Sequence, residues 1–353
     1  MKKFIYTIIA LAVGLLTGCN SNHQIKVGVI ADLTGPMALY GNWVKNGVEI
    51  AGDSSNVLLV VEDSKSEPKS AVSAIQKLAT ENVDFIISGN GSSAVMSIAP
   101  IANKNHNIVF VCLASSPNIS EAGDYVFRNR VSGLYEVKSL VDFSEKMSLT
   151  NFGAIALNNE AGLPYINAFE KQLEANGIKL LSNQVVDPKQ TDLSSQALKL
   201  KNNNVKTVLL SLQAAQAVNF INQCIEINYF PTWLGISSLK SDAILQLPDT
   251  IKNNFYIASE NIDMSNSKFQ AFNNIYKEKY GENAGIYAVN GYDAFNIINQ
   301  LIKKNKGDVE KVKKDLHEMH FSGAGGDMTF DENGDANRNV QIFKIDQNQF
   351  VKN

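Results

Sequence analysis

Short apolar runs alternate with helical patterns along the first part of the chain. Four β-branched runs have the length of strands, at residues 25–31, 57–62, 84–88 and 108–113. Between these runs, apolar residues recur three or four positions apart, which is the spacing of one face of a helix. Continuous apolar strands joined by helices predict a parallel sheet that is covered on both faces.

The same pattern restarts after a polar connection that ends near residue 150. The second block contains five predicted strands, at residues 152–157, 177–186, 206–212, 232–236 and 255–259. A long helical region at 283–303 and a β segment at 328–345 follow. Two such blocks predict an α/β fold with two doubly wound parallel-sheet lobes, in which ligands bind beyond the carboxyl ends of the strands.

The third predicted strand is followed by the sequence GNGSSA at residues 89–94, which fits the pattern G-x-G-x-x-[GA]. Its glycines allow a ligand to approach the backbone closely, and the N–H groups of the next helix can bind an anion. A dinucleotide site also needs an acidic residue about 20 positions further on, where this chain has the acid-free strand IVFVCL. A cradle for a small anion is therefore favoured over a dinucleotide loop and over a plain turn.

The N-terminus indicates export. Lys2 and Lys3 precede the apolar run FIYTIIALAVGLL, which is shorter than the roughly 20 residues of a membrane span and suits the core of a signal peptide. The run ends in Leu-Thr-Gly-Cys, which resembles the bacterial lipobox, with Cys19 as the lipidated residue. We expect a lipoprotein signal peptide at residues 1–18 and an anchor linker at 19–23; a simple secretory signal with an incidental cysteine is the alternative.

The net charge limits the classes of partner that we expect, and the cysteines indicate buried thiols. Removal of residues 1–18 takes away two lysines, so the formal net charge changes from −3 to −5, and no long basic run remains. Nucleic acid and an anionic membrane surface are therefore not expected as partners. Cys112 lies in an apolar strand and Cys224 on a helix, and we expect two buried free thiols, although an exported protein could also form a disulfide.

Motifs of enzymes and metal sites are missing from the sequence. It contains no G-x-S-x-G elbow and no Walker loop. His317 and His320 are three positions apart, which is not the H-E-x-x-H spacing. The segment DENGD at 331–335 imitates a calcium loop, but Ala336 stands where the loop needs Gly and Ile342 where it needs Glu. We expect a tight turn there, no catalytic residue, no cofactor and no metal.

Three segments, in order, resemble a known family. IKVGVIADLTGPMALYG, VVEDSKSEPKSAVSAIQKL and TFDENGDANRNVQIFKI are similar to the opening loop, a Pro-containing segment and the closing F-D-x-x-G-D segment of type I periplasmic solute-binding proteins. Within that class they resemble the branched-chain amino-acid (Leu/Ile/Val) binding group of ABC importers, in lipoprotein form. The resemblance implies a monomer with a three-segment hinge, lobe one at 24–131 plus 260–326, and lobe two at 132–259 plus 327–353.

The resemblance also implies ligand-binding residues in lobe one. Tyr40 falls on the aromatic residue that lies against the ligand, and Ser92, with the neighbouring amide of Ser93, falls on the group that holds a carboxylate. Leu113 falls on a position that offers a backbone group, and Ser115 on the hydroxyl residue that grips both the carboxylate and the amino group. Lobe one is thereby expected to bind a small acid.

Lobe two departs from the family pattern. Ser237 stands where the family places a glutamate for the ligand ammonium, and Ala161 and Gln213 stand at aromatic positions, whereas Tyr287 keeps an aromatic ring. Because a buried unpaired cation is costly, either Glu160 supplies the ammonium partner or the ligand has no ammonium.

The resulting functional hypothesis is an envelope protein that faces the periplasm or the cell exterior. It binds a small polar organic solute, such as an amino acid, amide or short carboxylate, and hands it to the permease of an ABC importer. The alternative is a lipoprotein of the same fold that acts as a regulator or sensor through protein–protein contacts.

Overall fold

A computed structural model describes residues 25–53 and 55–353, so the predicted signal peptide and Cys19 lie outside the described residues. The strands are β1 (Lys26–Ala31), β2 (Leu58–Asp63), β3 (Phe85–Gly89), β4 (Ile108–Val111), β5 (Val126–Arg128), β6 (Phe152–Leu157), β7 (Ser182–Val186), β8 (Thr207–Ser211), β9 (Thr232–Gly235), β10 (Phe255–Glu260), β11 (His320–Gly323), β12 (Gly326–Phe330), β13 (Ala336–Asn337), β14 (Val340–Asp346) and β15 (Gln349–Lys352).

The α-helices alternate with these strands over most of the chain. They are α1 (Ala38–Gly52), α2 (Pro68–Thr80), α3 (Ser92–Asn105), α4 (Gly133–Lys146), α5 (Leu163–Ala175), α6 (Ser194–Asn202), α7 (Ala214–Glu226), α8 (Asp242–Leu245), α9 (Asp249–Lys252), α10 (Ser267–Tyr280), α11 (Ile286–Asn305) and α12 (Val309–Glu318).

Lobe one is built on a parallel five-stranded sheet in the order β2-β1-β3-β4-β5. One face packs on α2 and α3 through residues such as Ile75 and Ile98. The opposite face packs on α1 and α11 through residues such as Val48 and Phe295. Apolar side chains on both faces of the strands give the continuous apolar runs from which the sheet was predicted.

Lobe two contains a seven-stranded sheet in the order β15-β14-β10-β9-β8-β6-β7. Strands β6 to β10 pair in parallel, whereas β14 and β15 pair antiparallel at one edge. Helices α4 and α5 cover one face, and α6 and α7 cover the other. The two sheets with helices on both faces confirm the predicted α/β class of two doubly wound lobes.

The chain passes between the lobes at three places, at residues 129–132, 261–266 and 338–339. The sequence placed the last passage at 326/327, and this boundary is wrong. Strands β11, β12 and β13 form a small sheet whose residues Met328, Phe330 and Ala336 pack in the core of lobe one. The ring of Phe330 lies 5.6 Å from that of Phe110, so residues 327–337 belong to lobe one.

The two remaining cysteines lie in separate cores. Cys112 packs in lobe one and Cys224 in lobe two, and both are free and buried. The prediction of two buried thiols is confirmed. Burial raises the thiol pKa of both residues far above the ordinary value, so neither is expected to be a reactive thiolate at neutral pH.

Candidate ligand-binding cleft

The GNGSSA segment forms the turn between β3 and α3, at the carboxyl end of the lobe-one sheet. The backbone N–H of Gly91 donates to Asp32 Oδ2 at 3.0 Å. The side-chain amide of Asn90 donates to Ser64 Oγ at 2.6 Å and to Asp32 Oδ1 at 3.2 Å. This buried network joins the ends of β1, β2 and β3 and therefore fixes the backbone of the turn.

The first turn of α3 offers hydrogen-bond donors that no other described residue uses. Ser92 opens the helix, and the backbone N–H groups of Ser92 and Ser93 have no acceptor among residues 25–53 and 55–353. The helix dipole favours negative charge at this end. Since Asp32 already occupies the N–H of Gly91, an incoming anion would meet the next two amides.

Three aromatic rings form a wall where α1 meets the start of α11. Tyr40 and Trp43 lie on α1, and Tyr287 lies at the start of α11. The ring of Tyr40 is 5.4 Å from that of Tyr287 and 5.6 Å from that of Trp43, both edge to face, whereas Trp43 and Tyr287 stack at 6.4 Å. The structure thus brings together the two predicted aromatic residues and adds Trp43, which sequence reasoning missed.

Ser115 lies where lobe one meets lobe two. The hydroxyl of Ser115 lies 2.9 Å from that of Tyr165, on the first turn of α5, and the two share a hydrogen bond. The N–H of Gly133 donates to the Ser115 carbonyl at 2.7 Å. The side chain of Leu113 is buried in the core of lobe one, so only its backbone can face a ligand. Ala161 is exposed, and Tyr165, four residues later, is buried in the core of lobe two.

Ser237 lies against a buried carboxylate that the sequence did not reveal. Its N–H donates to Glu136 Oε2 at 3.3 Å, and the Tyr165 hydroxyl donates to the same oxygen at 3.1 Å. The guanidinium of Arg130 donates to the Ser237 hydroxyl and lies 3.4 Å from Glu136 Oε1. Burial raises the pKa of the Glu136 carboxyl, and the Arg130 charge opposes this rise. The acid missing from position 237 is therefore present beside it, on α4.

Charged residues in or next to the three lobe-to-lobe passages form a buried ion-pair ladder. Arg130 from the first passage pairs with Glu260, the last residue of β10, at the second. Glu260 Oε2 also lies 3.8 Å from Nη1 of Arg338 at the third passage, and Arg338 Nη2 lies 3.7 Å from Asp293 of α11. These residues are almost fully buried, so each charge depends on its neighbours in the ladder.

Glu160, the other candidate partner for an ammonium group, lies at the mouth of the cleft. Its Oε2 accepts a hydrogen bond of 3.0 Å from the side-chain amide of Asn118 in lobe one. Gln213 is exposed at the start of α7. Within residues 25–53 and 55–353, no group of three or more His, Cys, Asp or Glu is arranged to hold a metal ion.

Relatives share both the length and the fold of this chain. A family model described as periplasmic binding protein matches residues 24–349. The Leu/Ile/Val-binding protein BraC3 of Rhizobium johnstonii is 24% identical over 351 residues and covers 94% of each chain.

Two crystal structures are close in fold. The leucine-binding protein LivK of Thermotoga maritima has a TM-score of 0.82 at 21% identity, and covers 93% of this chain and 97% of its own. A solute-binding protein of an ABC transporter from R. palustris, in complex with benzoate, has a TM-score of 0.79 at 19% identity, and covers 93% and 95%.

The helices of residues 25–53 and 55–353 include none that is both long and apolar enough to cross a membrane. The match of one family model to nearly the whole chain agrees with the two-lobed architecture. The chain therefore belongs to the periplasmic binding protein family, has the type I fold, and is related to the Leu/Ile/Val-binding proteins of ABC importers.

Proposed function

We propose that this protein is a lipid-anchored receptor in the cell envelope, which captures a small solute bearing a carboxylate or amide and delivers it to an ABC permease. The first turn of α3 carries the proposal, because the N–H groups of Ser92 and Ser93 have no acceptor among the described residues and lie at the positive end of a helix. The proposed ligand contacts are Tyr40, Ser92, Ser93, Leu113, Ser115, Ser237 and Tyr287.

The ligands of the two fold neighbours support a carboxylate. One neighbour is named a leucine-binding protein, and the other was solved with benzoate. Leucine and benzoate share a carboxylate and an apolar remainder, and they differ in the ammonium group. Free amides for the carboxylate and aromatic rings for the apolar part are the complementary groups that this cleft offers.

A regulator that binds only proteins was the alternative, and it depended on a lobe-two side without suitable polar groups. Tyr165, Glu136 and Arg130 supply hydroxyl, carboxylate and guanidinium groups on that side. Solute binding is therefore the function that the geometry supports best. The relatives and the fold are those of solute-binding proteins, which are not enzymes.

A ligand screen tests the proposal. We expect at least one compound in a panel of amino acids, amides, 2-oxo acids and aromatic acids to raise the melting temperature of the purified protein, because binding to the folded state stabilises it. The Ser92→Ala variant should bind that compound about tenfold more weakly through the loss of one hydrogen bond.

Ser97→Ala is the matched control for this screen. It is the same substitution in the same helix, and its hydroxyl bonds to the carbonyls of Ala94 and Pro68. We expect it to bind like the wild type in isothermal titration calorimetry. A panel without any thermal shift would contradict carboxylate binding at α3, and equal affinity in Ser92→Ala and the wild type would contradict a ligand contact through the Ser92 hydroxyl.

The proposed lipid anchor predicts where the full chain is found in the cell. Cys19→Ser should move the protein from the detergent phase to the aqueous phase in detergent partitioning of whole cells, because the acyl chains are lost. Cys224→Ala removes a buried thiol instead and should stay in the detergent phase. Detergent-phase partitioning of Cys19→Ser would refute the anchor.

A further inference from the structure

Side-chain hydrogen bonds join the two lobes beside the first passage. The side-chain amide of Asn118 in lobe one donates to Glu160 Oε2 in lobe two at 3.0 Å. Deeper in the seam, the hydroxyls of Ser115 and Tyr165 share a hydrogen bond at 2.9 Å. The packing there is tight, since a Cβ on Gly133 would lie 2.5 Å from Cζ of Tyr165. The lobes are therefore in contact both at the surface and at the buried ring of Tyr165.

The lobe-one half of the outer pair is held on an anchored turn. Asn118 lies in the 3-10 turn Pro117–Glu121, between two buried neighbours. Its N–H donates to Ser116 Oγ at 3.3 Å, and the Ser116 carbonyl accepts from the buried guanidinium of Arg128 at 2.8 Å. The turn packs against α5 of lobe two. The exposed amide of Asn118 is thus presented to lobe two on a fixed backbone.

The lobe-two half is also fixed locally. Glu160 lies in the turn between β6 and α5, where Asn159 Oδ1 accepts from the N–H of Ala161 at 2.9 Å. The Asn159 carbonyl accepts from the N–H groups of Gly162 and Leu163 at 3.1 and 3.0 Å. Exposed pairs contribute little when two flexible side chains must be ordered. Two anchored turns and a short asparagine reduce that entropy cost, so this pair keeps more of its hydrogen-bond energy.

The outer pair is suited to break and re-form. Asn118 is exposed and Glu160 is half-buried, so water can satisfy both side chains when the lobes separate. The buried ion-pair ladder at the passages lacks this property, because its charges depend on one another. Neither Asn118 nor Glu160 is among the proposed ligand contacts, so their hydrogen bond forms without a solute.

We propose that Asn118 and Glu160 form an interlobe latch, which draws the two lobes together in the absence of a ligand. The empty protein then populates a closed form, and a bound solute adds its own contacts to that of the latch. This inference goes beyond the proposed function, because the latch acts on the empty protein and is independent of the ligand class.

Spin labels across the seam measure closure without a solute. Asp124→Cys and Glu174→Cys are introduced into a Cys19→Ser chain; both positions are exposed, one after the lobe-one turn and the other in the last turn of α5. Cys112 and Cys224 are buried and stay unlabelled. Double electron–electron resonance on the dialysed protein should show a short-distance, closed population beside a longer one. A distribution that contains only the longer distance overturns the latch.

Asn118→Asp tests the pair itself in the labelled protein. The variant keeps the shape of the side chain but faces Glu160 with a like charge, so we expect the ratio of closed to open protein to fall about threefold to tenfold. Adding Glu160→Gln restores the hydrogen bond with donor and acceptor exchanged, and the ratio should return to the wild-type value. Glu160→Gln alone is the matched control, because it keeps an acceptor oxygen for Asn118 and should close like the wild type.

The exchanged pair separates a latch from a merely structural effect. An unchanged ratio in Asn118→Asp overturns the proposal. A fall that Glu160→Gln does not reverse overturns it as well, because the substitution then acts through the turn and not through the pair. These measurements contain no solute, so either result leaves the proposed function standing.

Discussion

Replacing Asp335 by Asn should destabilise the protein by about 3–5 kcal/mol, the range found when one partner of a buried ion pair is removed. Arg128 is buried and donates from Nε to Asp335 Oδ1 at 2.7 Å. Its other nitrogens donate to the Ser116 carbonyl at 2.8 Å and to Ser120 Oγ at 3.0 Å. Those neutral acceptors cannot balance the charge, so the variant leaves a buried cation uncompensated. Urea unfolding measures the loss.

A double-mutant cycle provides the control. Arg128→Met removes the cation, and Asp335→Leu then replaces its partner with an apolar side chain of similar size. The double variant buries no charge at this position. Its loss of unfolding free energy should therefore be clearly smaller than the sum of the losses measured for Arg128→Met and Asp335→Leu alone. Additive losses of unfolding free energy, or a loss of less than about 1 kcal/mol for Asp335→Asn, would contradict this prediction. Either result would show that the Arg128–Asp335 ion pair does not attach the turn at residues 331–335 to β5.

The DENGD segment forms a turn, as predicted, and Asp335 of this ion pair stands at its end. Asp331 Oδ1 accepts from the N–H groups of Asn333 and Asp335, both at 2.9 Å. Gly334 has a φ of +76°, a conformation that favours glycine. The two end carboxylates are therefore occupied by backbone amides and by Arg128, and the sequence could show only that the calcium pattern was incomplete.

The secondary structure was predictable where the apolar pattern was long. The strand at residues 152–157 was predicted with its observed bounds, because six consecutive apolar or small residues can be buried on both faces. Strand β5 was missed because it has three residues and ends in Arg128. The last lobe boundary was misplaced because residues 327–337 belong to a small local sheet, in which β12 pairs with β11 and β13 pairs with β12.

The site was predictable only in part, for a physical reason. Tyr40 and Ser92 stand in local motifs that a resemblance can match, and they remain predicted ligand contacts. Arg130, Glu136 and Glu260 become neighbours because the chain passes between the lobes three times, and Arg130 is 130 positions from Glu260. The two arginines in FRNRV were the available signal, since charged residues next to an apolar strand need buried partners.

Gly47→Ala should lower the free energy of unfolding by about 3 kcal/mol or more, which is at or above the upper end of the usual cost of overpacking a core. Gly47 lies where α1 crosses α11, and a Cβ at this position would be 1.9 Å from the Ala288 carbonyl oxygen and 2.8 Å from the Tyr292 nitrogen. Both are backbone atoms, so no change of rotamer relieves the clash and the helices must separate. Gly291 makes the reciprocal approach, since its Cβ would be 2.2 Å from the Val44 carbonyl oxygen.

Gly285→Ala is the matched control, because no atom of the described residues lies within 4 Å of a Cβ at that position. At this helix N-cap we expect a loss of only a few tenths of a kcal/mol in the same denaturation experiment. The contact between α1 and α11 also positions the aromatic wall, since α1 carries Tyr40 and Trp43 and α11 carries Tyr287. Folded Gly47→Ala should therefore bind ligand more weakly than Gly285→Ala. Equal stability and equal affinity of the two variants would show that the wall does not depend on this close helix contact.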